Sequence, residues 1–179
     1  MNQLGSRTSR RVSLGLLLAL GLWLVARPAG AEHHDLGADW NESGVAWRSF
    51  SAGVDEARRT GRPICLVVHT TWCSDCKLYS QTFHDPRVVE QSRRFVMVRV
   101  DQEAEPAVAK RFAPDGEYIP RTFFLRSTGE LLDGIRSSRT EAIYNYPEDD
   151  PAALLHAMDE ALRAVQDPAA STTPAPASI

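Results

Sequence analysis

The chain has 179 residues, 43% of them hydrophobic and 24% charged, proportions that suit a globular protein and exclude a disordered or membrane-embedded one. Its net charge of -3 supplies no basic stripe for a phosphate backbone, so no nucleic-acid partner is expected. Three cysteines are too few to staple a miniature fold, and the spacing of Cys73 and Cys76 sets that pair apart from Cys65, which sits in an apolar run as a small buried hydrophobe.

The N-terminus carries Arg7, Arg10 and Arg11, then an apolar stretch from Leu14 to Ala26, then Ala29-Gly30-Ala31. These are the basic, apolar and small-residue regions of a secretory signal, so residues 1–31 are read as a signal peptide and the protein as exported. The apolar stretch falls short of the ~20 residues of a bilayer span, so no stable membrane insertion is expected after signal cleavage; an uncleaved signal anchor is the alternative. Residues 32–43 are polar and read as a mobile lead-in, and one domain is expected over residues 44–166.

Within that domain, Trp47, Phe50, Val54 and Ala57 recur at helical spacing up to the breaker Gly61-Arg62-Pro63, which predicts the first helix. Ile64 to His69 is a continuous apolar run of strand length, suited to a central strand covered on both faces. The composition from Cys73 through Phe83 suits a helix, and Asp85-Pro86 supplies an N-cap and first-turn proline for another piece through Arg93. Phe95 to Val100 reads as a second strand and Glu103 to Phe112 as a crossover helix, which makes a βαβ unit with a parallel pair. Thr122 to Arg126 and Glu130 to Ile135, joined at Ser127-Thr128-Gly129, read as a β-hairpin. Pro151 to Val165 places Leu154, Leu155, Met158 and Leu162 on one stripe of a closing amphipathic helix. The Pro-, Ala- and Ser-rich residues 167–179 read as a disordered tail. The expected class is therefore α/β, a single domain with a central mixed sheet flanked by helices.

Chemistry concentrates at Trp72-Cys73-Ser74-Asp75-Cys76. A cysteine at the N-terminus of a helix meets unpaired backbone N–H groups that favour its thiolate, and a second cysteine one turn on can close a disulfide with it. Cys73 is accordingly the expected nucleophile and Cys76 the resolving thiol, with Ser74 and Asp75 as modulating neighbours. Two thiolates at this spacing are also half of a zinc set, and an inert structural disulfide is a further alternative. A second cysteine pair is missing, and the apolar strand and Trp72 before the motif favour redox chemistry, so no metal is assigned.

Trp-Cys-x-x-Cys after a hydrophobic strand, with Ile119-Pro120 before a later strand, resembles the thioredoxin superfamily. Phe95-Val96-Met97-Val98, the acidic Asp101, Glu103 and Glu105, then Phe112-Ala113-Pro114-Asp115-Gly116 and Tyr118-Ile119-Pro120-Arg121, resemble the small endoplasmic-reticulum members related to the anterior-gradient proteins. The resemblance covers about residues 45 to 165. It implies a thioredoxin fold and a thiol–disulfide oxidoreductase whose substrates are proteins carrying cysteines or disulfides. Electrons would come from a partner redox protein, with no bound cofactor. It further implies that Pro120 is a cis-proline whose loop packs beside Cys73, and that Trp72, Ile119 and Pro120 receive the substrate. From the residues alone Pro120 reads as an ordinary strand-entry proline. The signal segment points to a periplasmic or other extracytoplasmic location, the endoplasmic-reticulum lumen being the alternative. In thioredoxin a buried acid on the strand helps move protons from the second cysteine; here that position is Val67, leaving His69, Asp75 or solvent as acceptor. The competing function is a binding module or holdase that captures clients through the same cysteines without turnover.

Overall fold

The computed structural model describes residues 38–166; the expected signal peptide, the first part of the expected lead-in and the expected tail lie outside the described residues. Chain order is β1 (Trp47–Arg48), α1 (Phe50–Thr60), β2 (Ile64–His69), α2 (Ser74–Ser80), a 3₁₀ turn (Gln81–His84), α3 (Pro86–Ser92), β3 (Val96–Asp101), α4 (Pro106–Arg111), β4 (Arg121–Leu125) and α5 (Pro151–Gln166). The strands lie in the order β1-β3-β2-β4, with β1, β3 and β2 parallel and β4 antiparallel to β2. This is the mixed α/β sheet of the thioredoxin fold.

The unbroken apolar run of β2 is explained by its two buried faces. Ile64, Leu66 and Val68 enter one core with Val96, Val98, Val100, Phe123 and Ala57 of α1. Cys65 and Val67 enter the other with Met97, Phe124, Tyr79 of α2 and Leu154, Met158 and Leu162 of α5. Alternation of side chains along a strand assigns odd and even residues to opposite layers, and helices on both sides cover them. At Gly53, α1 comes so close to β3 that a Cβ would collide with Val98. Gly61 ends α1 in the left-handed region at φ 74°, its N–H donating to the Ala57 carbonyl at 2.8 Å.

Several elements differ from the sequence reading. Trp47 is not the first residue of a helical stripe: Ser49 is the N-cap of α1, and Trp47 pairs with Met97 in β1. The helix expected from Cys73 through Phe83 is α2 followed by the 3₁₀ turn, and the crossover helix shortens to α4 behind Pro106. The expected hairpin keeps its turn, with Arg126 N–H donating to the Glu130 carbonyl at 2.8 Å, but its second arm is reduced to a Leu125–Leu131 bridge. Beyond it Ile135 turns into the α5-side core, and the free edge of β4 is met instead by Tyr144, whose carbonyl accepts from Thr122 N–H at 2.8 Å.

The described residues of the expected lead-in, 38–43, are attached to the domain through Trp40 and Asn41. Trp40 is 1% exposed, its ring 6.1 Å from that of Trp47 and 5.7 Å from that of Phe83. Asn41 donates to the Phe83 carbonyl at 2.8 Å, and Arg99 lies over both tryptophan rings while pairing with Glu42 at 2.9 Å. A polar composition around one buried tryptophan hides an anchor, because a single large aromatic supplies most of the burial a short segment needs. Among the described residues no helix is long and apolar enough to cross a membrane.

Candidate active site

The end of β2 delivers the chain to Cys73, which is the N-cap of α2. Its Sγ accepts a hydrogen bond from Cys76 N–H at 3.0 Å, so one of the orphan donors of the first helical turn points at this sulfur. Cys73 and Cys76 are joined by a disulfide across Cα atoms 5.2 Å apart. Cys73 is 5% exposed and Cys76 fully buried, an asymmetry that leaves the first sulfur as the one an incoming thiol or disulfide can reach. Cys65, the free cysteine, is buried in the same core, and desolvation pushes its thiol far above the ordinary range. It is therefore inert in the folded protein.

Trp72 is 65% exposed, and its indole Nε1 donates to Glu103 Oε1 at 2.9 Å across to the β3–α4 connection. Ser74 and Asp75 stand exposed in the first turn of α2, with the Ser74 hydroxyl 3.4 Å from Asp75 Oδ1. The register Val68–Arg121 sets the start of β4 beside the end of β2, the strand that leads into the motif. There the Ile119–Pro120 peptide is cis, Pro120 is buried, and Ile119 is half-buried against the core that contains Cys73 and Cys76. The structure thus brings Ile119 and the cysteines into one cluster, while the Trp72 indole is tethered toward Glu103.

Val67 lies in that core opposite Thr122, so no carboxylate occupies the strand position noted above. His69 is 3% exposed with its ring 5.1 Å from Trp40, and its carbonyl accepts from Gln102 N–H at 2.8 Å. It is built into the aromatic cluster that seats Trp40.

Three residues around the site escaped sequence reasoning. Tyr79, three residues beyond Cys76 on the same helix, has its hydroxyl 2.8 Å from Thr122 Oγ1, tying α2 to β4 in the buried core. The third, Asn145, donates from Nδ2 to the Pro120 carbonyl at 3.1 Å. Tyr79 had a signal in its spacing from Cys76, one helical turn on the same face. Asn145, in an irregular segment with neither periodicity nor motif, had none.

A parallel β1-β3-β2 arrangement with β4 antiparallel at the edge, and a cysteine pair opening the helix after β2, defines the thioredoxin class of folds. Residues 46–127 match a family described as thioredoxin-like. By sequence the chain is related to the anterior-gradient proteins: it is 24% identical to anterior gradient protein 3 of Mus musculus over 134 residues, 73% of this chain and 79% of that one. It is 21% identical to the anterior gradient protein 2 homolog of Homo sapiens over 129 residues, 72% of each. Among solved structures, a thioredoxin from Thermus thermophilus superposes with a TM-score of 0.51 at 17% identity, covering 68% of this chain and 90% of that one. A structure titled DsbH oxidoreductase gives 0.51 at 18%, covering 72% and 88%. At these identities the structural likeness speaks for the fold.

Proposed function

We propose that this protein is a thiol–disulfide oxidoreductase acting on disulfides of exported proteins through Cys73 and Cys76. The observation that supports it most directly is the Cys73 sulfur at the N-cap of α2, accepting from Cys76 N–H while remaining the more accessible of the two. In the reduced protein that donor would stabilise a Cys73 thiolate. The thiolate attacks one sulfur of a client disulfide, forming a Cys73–client bond and releasing the other client sulfur as a thiolate. The Cys76 thiolate then attacks Cys73, the Cys73–Cys76 bond forms, and the client's second sulfur leaves. Two electrons have passed to the client, and a partner redox protein returns them. Run backwards, the same steps oxidise a client; the direction is set by the reduction potential relative to the compartment, where 30 mV corresponds to about 1.4 kcal/mol.

In this reading the client lies against the exposed Trp72 and the half-buried Ile119, with the buried Pro120 holding that loop, and Ser74 and Asp75 adjust the thiolate. The expected setting is extracytoplasmic, in a periplasm or an endoplasmic-reticulum lumen. The test is insulin reduction with dithiothreitol as donor. Cys73→Ser should abolish turnover, and Cys76→Ser should stop it while accumulating a mixed disulfide through Cys73. Stoichiometric capture without turnover by the unmodified chain would replace the enzyme reading with that of a client-binding module.

A further inference from the structure

The segment after the truncated hairpin runs along the loop that carries Pro120 and is bonded to it through the consecutive residues Ile143, Tyr144 and Asn145. Tyr144 N–H donates to the Tyr118 hydroxyl at 3.0 Å, Asn145 Nδ2 to the Pro120 carbonyl at 3.1 Å, and the Tyr144 carbonyl accepts from Thr122 N–H at 2.8 Å. Asp115 Oδ2 fastens the same two pieces, accepting from the Tyr118 hydroxyl at 2.6 Å and from Ile143 N–H at 2.8 Å. Ala142 adopts φ 51°, and its carbonyl accepts from Asn145 N–H at 2.8 Å, so the turn presenting Asn145 is built at some conformational cost.

Asn145 itself is only 9% exposed, and its Oδ1 has no hydrogen-bond partner among the described residues. A buried amide with one half unsatisfied is unfavourable for stability alone, so its retained interaction, the bond to Pro120, is the one that accounts for an asparagine there. Proline has no N–H of its own, so its carbonyl is the only backbone hydrogen-bonding group by which this residue can be held.

We propose that Asn145 is a positioning residue for client docking: by holding the Pro120 carbonyl from the side away from β2, it fixes the Ile119–Pro120 shelf against the Cys73–Cys76 disulfide. The inference deepens the disulfide-exchange reading and rests on it for the kinetic part of its test. Asn145→Asp preserves shape but, when ionised, cannot donate; Asn145→Ala removes the group. With insulin as substrate both variants should raise KM about 10-fold, the range of one buried hydrogen bond, with kcat little changed. Reduction of glutathione disulfide, which is too small to lie along the shelf, should be unaffected. The Asn145→Asp variant should recover insulin KM as pH is lowered and the carboxyl gains a proton to donate, a response a merely structural role does not produce.

In parallel, a cysteine-free peptide copy of the insulin B chain would be titrated by NMR into the Cys73→Ser/Cys76→Ser chain with and without Asn145→Ala. Weaker peptide binding in the variant supports the positioning role even if the unmodified chain shows no turnover, an outcome that would remove only the enzyme reading. Unchanged KM and unchanged peptide affinity overturn the inference and leave that reading in place. Equal loss with insulin and glutathione disulfide also overturns it, because it marks Asn145 as a support of the whole fold.

Discussion

Removing the Tyr79 hydroxyl together with its partner should destabilise the protein less than the two single removals added together. The Tyr79 hydroxyl and Thr122 Oγ1 are 2.8 Å apart, with Tyr79 0% and Thr122 1% exposed. A neutral hydrogen bond contributes a net ~1 kcal/mol, but stranding one buried hydroxyl costs ~1–3 kcal/mol, since no water replaces the lost partner. Tyr79→Phe strands Thr122, and Thr122→Val strands Tyr79; the double variant strands neither and replaces both with apolar groups of similar shape. Each single variant should therefore lose ~1–3 kcal/mol, and the double variant should be clearly more stable than additivity predicts, with a coupling of about 1–2 kcal/mol. For a domain of this length each kcal/mol lowers the thermal midpoint by about 3–5 °C. Urea denaturation with the disulfide kept oxidised would supply the four free energies, an unchanged slope confirming that the unfolded state is not altered. A coupling below about 0.5 kcal/mol would show that the two hydroxyls act independently and that α2 and β4 are not tied through them.

All four tyrosines, Tyr79, Tyr118, Tyr144 and Tyr146, have phenols pushed upward, primarily by burial. Their folded-state pKa values exceed the unfolded value of ~10, so the stability they contribute is complete below pH ~10 and declines as pH rises through the folded values, by about 1.4 kcal/mol per pH unit for each phenol that ionises only on unfolding. Tyrosinate absorbance should consequently appear together with loss of far-ultraviolet dichroism; ionisation well ahead of unfolding would contradict the burial. Asp75→Asn should make the protein a stronger oxidant, because the carboxylate beside Cys76 opposes a nearby thiolate and a stabler thiolate favours the dithiol. As Asp75 is exposed, the change should stay under ~1 kcal/mol, or about 20 mV, and glutathione equilibration showing a lower potential in the variant would refute it. Cys65→Ala should leave insulin reduction intact at a stability cost on the order of 1 kcal/mol; lost turnover in a folded variant would place Cys65 in the chemistry.

The determinants that were local in the chain were legible in its sequence. Periodicity identifies α1 and α5, the apolar run marks β2 as a strand covered on both faces, and Cys73 is spaced to open a helix, because helix and strand periods and capping chemistry act over a few residues. Trp47 and Ile135 show where such reasoning stops. A stripe that continues through Trp47 cannot tell a helix from a strand entering it, and an apolar second hairpin arm cannot reveal that Ile135 is drawn into the α5-side core. Trp40 was hidden by polar neighbours, though its burial depends on partners at Trp47, His69, Tyr79 and Phe83, which only the folded chain assembles. The site divides in the same way. The sequence determined the cysteine pair, since their separation by one helical turn is a property of the chain. Only the tertiary structure decided what surrounds them: Thr122 reaching Tyr79 and Asn145 reaching Pro120 across 43 and 25 residues of chain. Such pairings are set by strand register and loop packing, which leave no periodic trace in either partner's own neighbourhood.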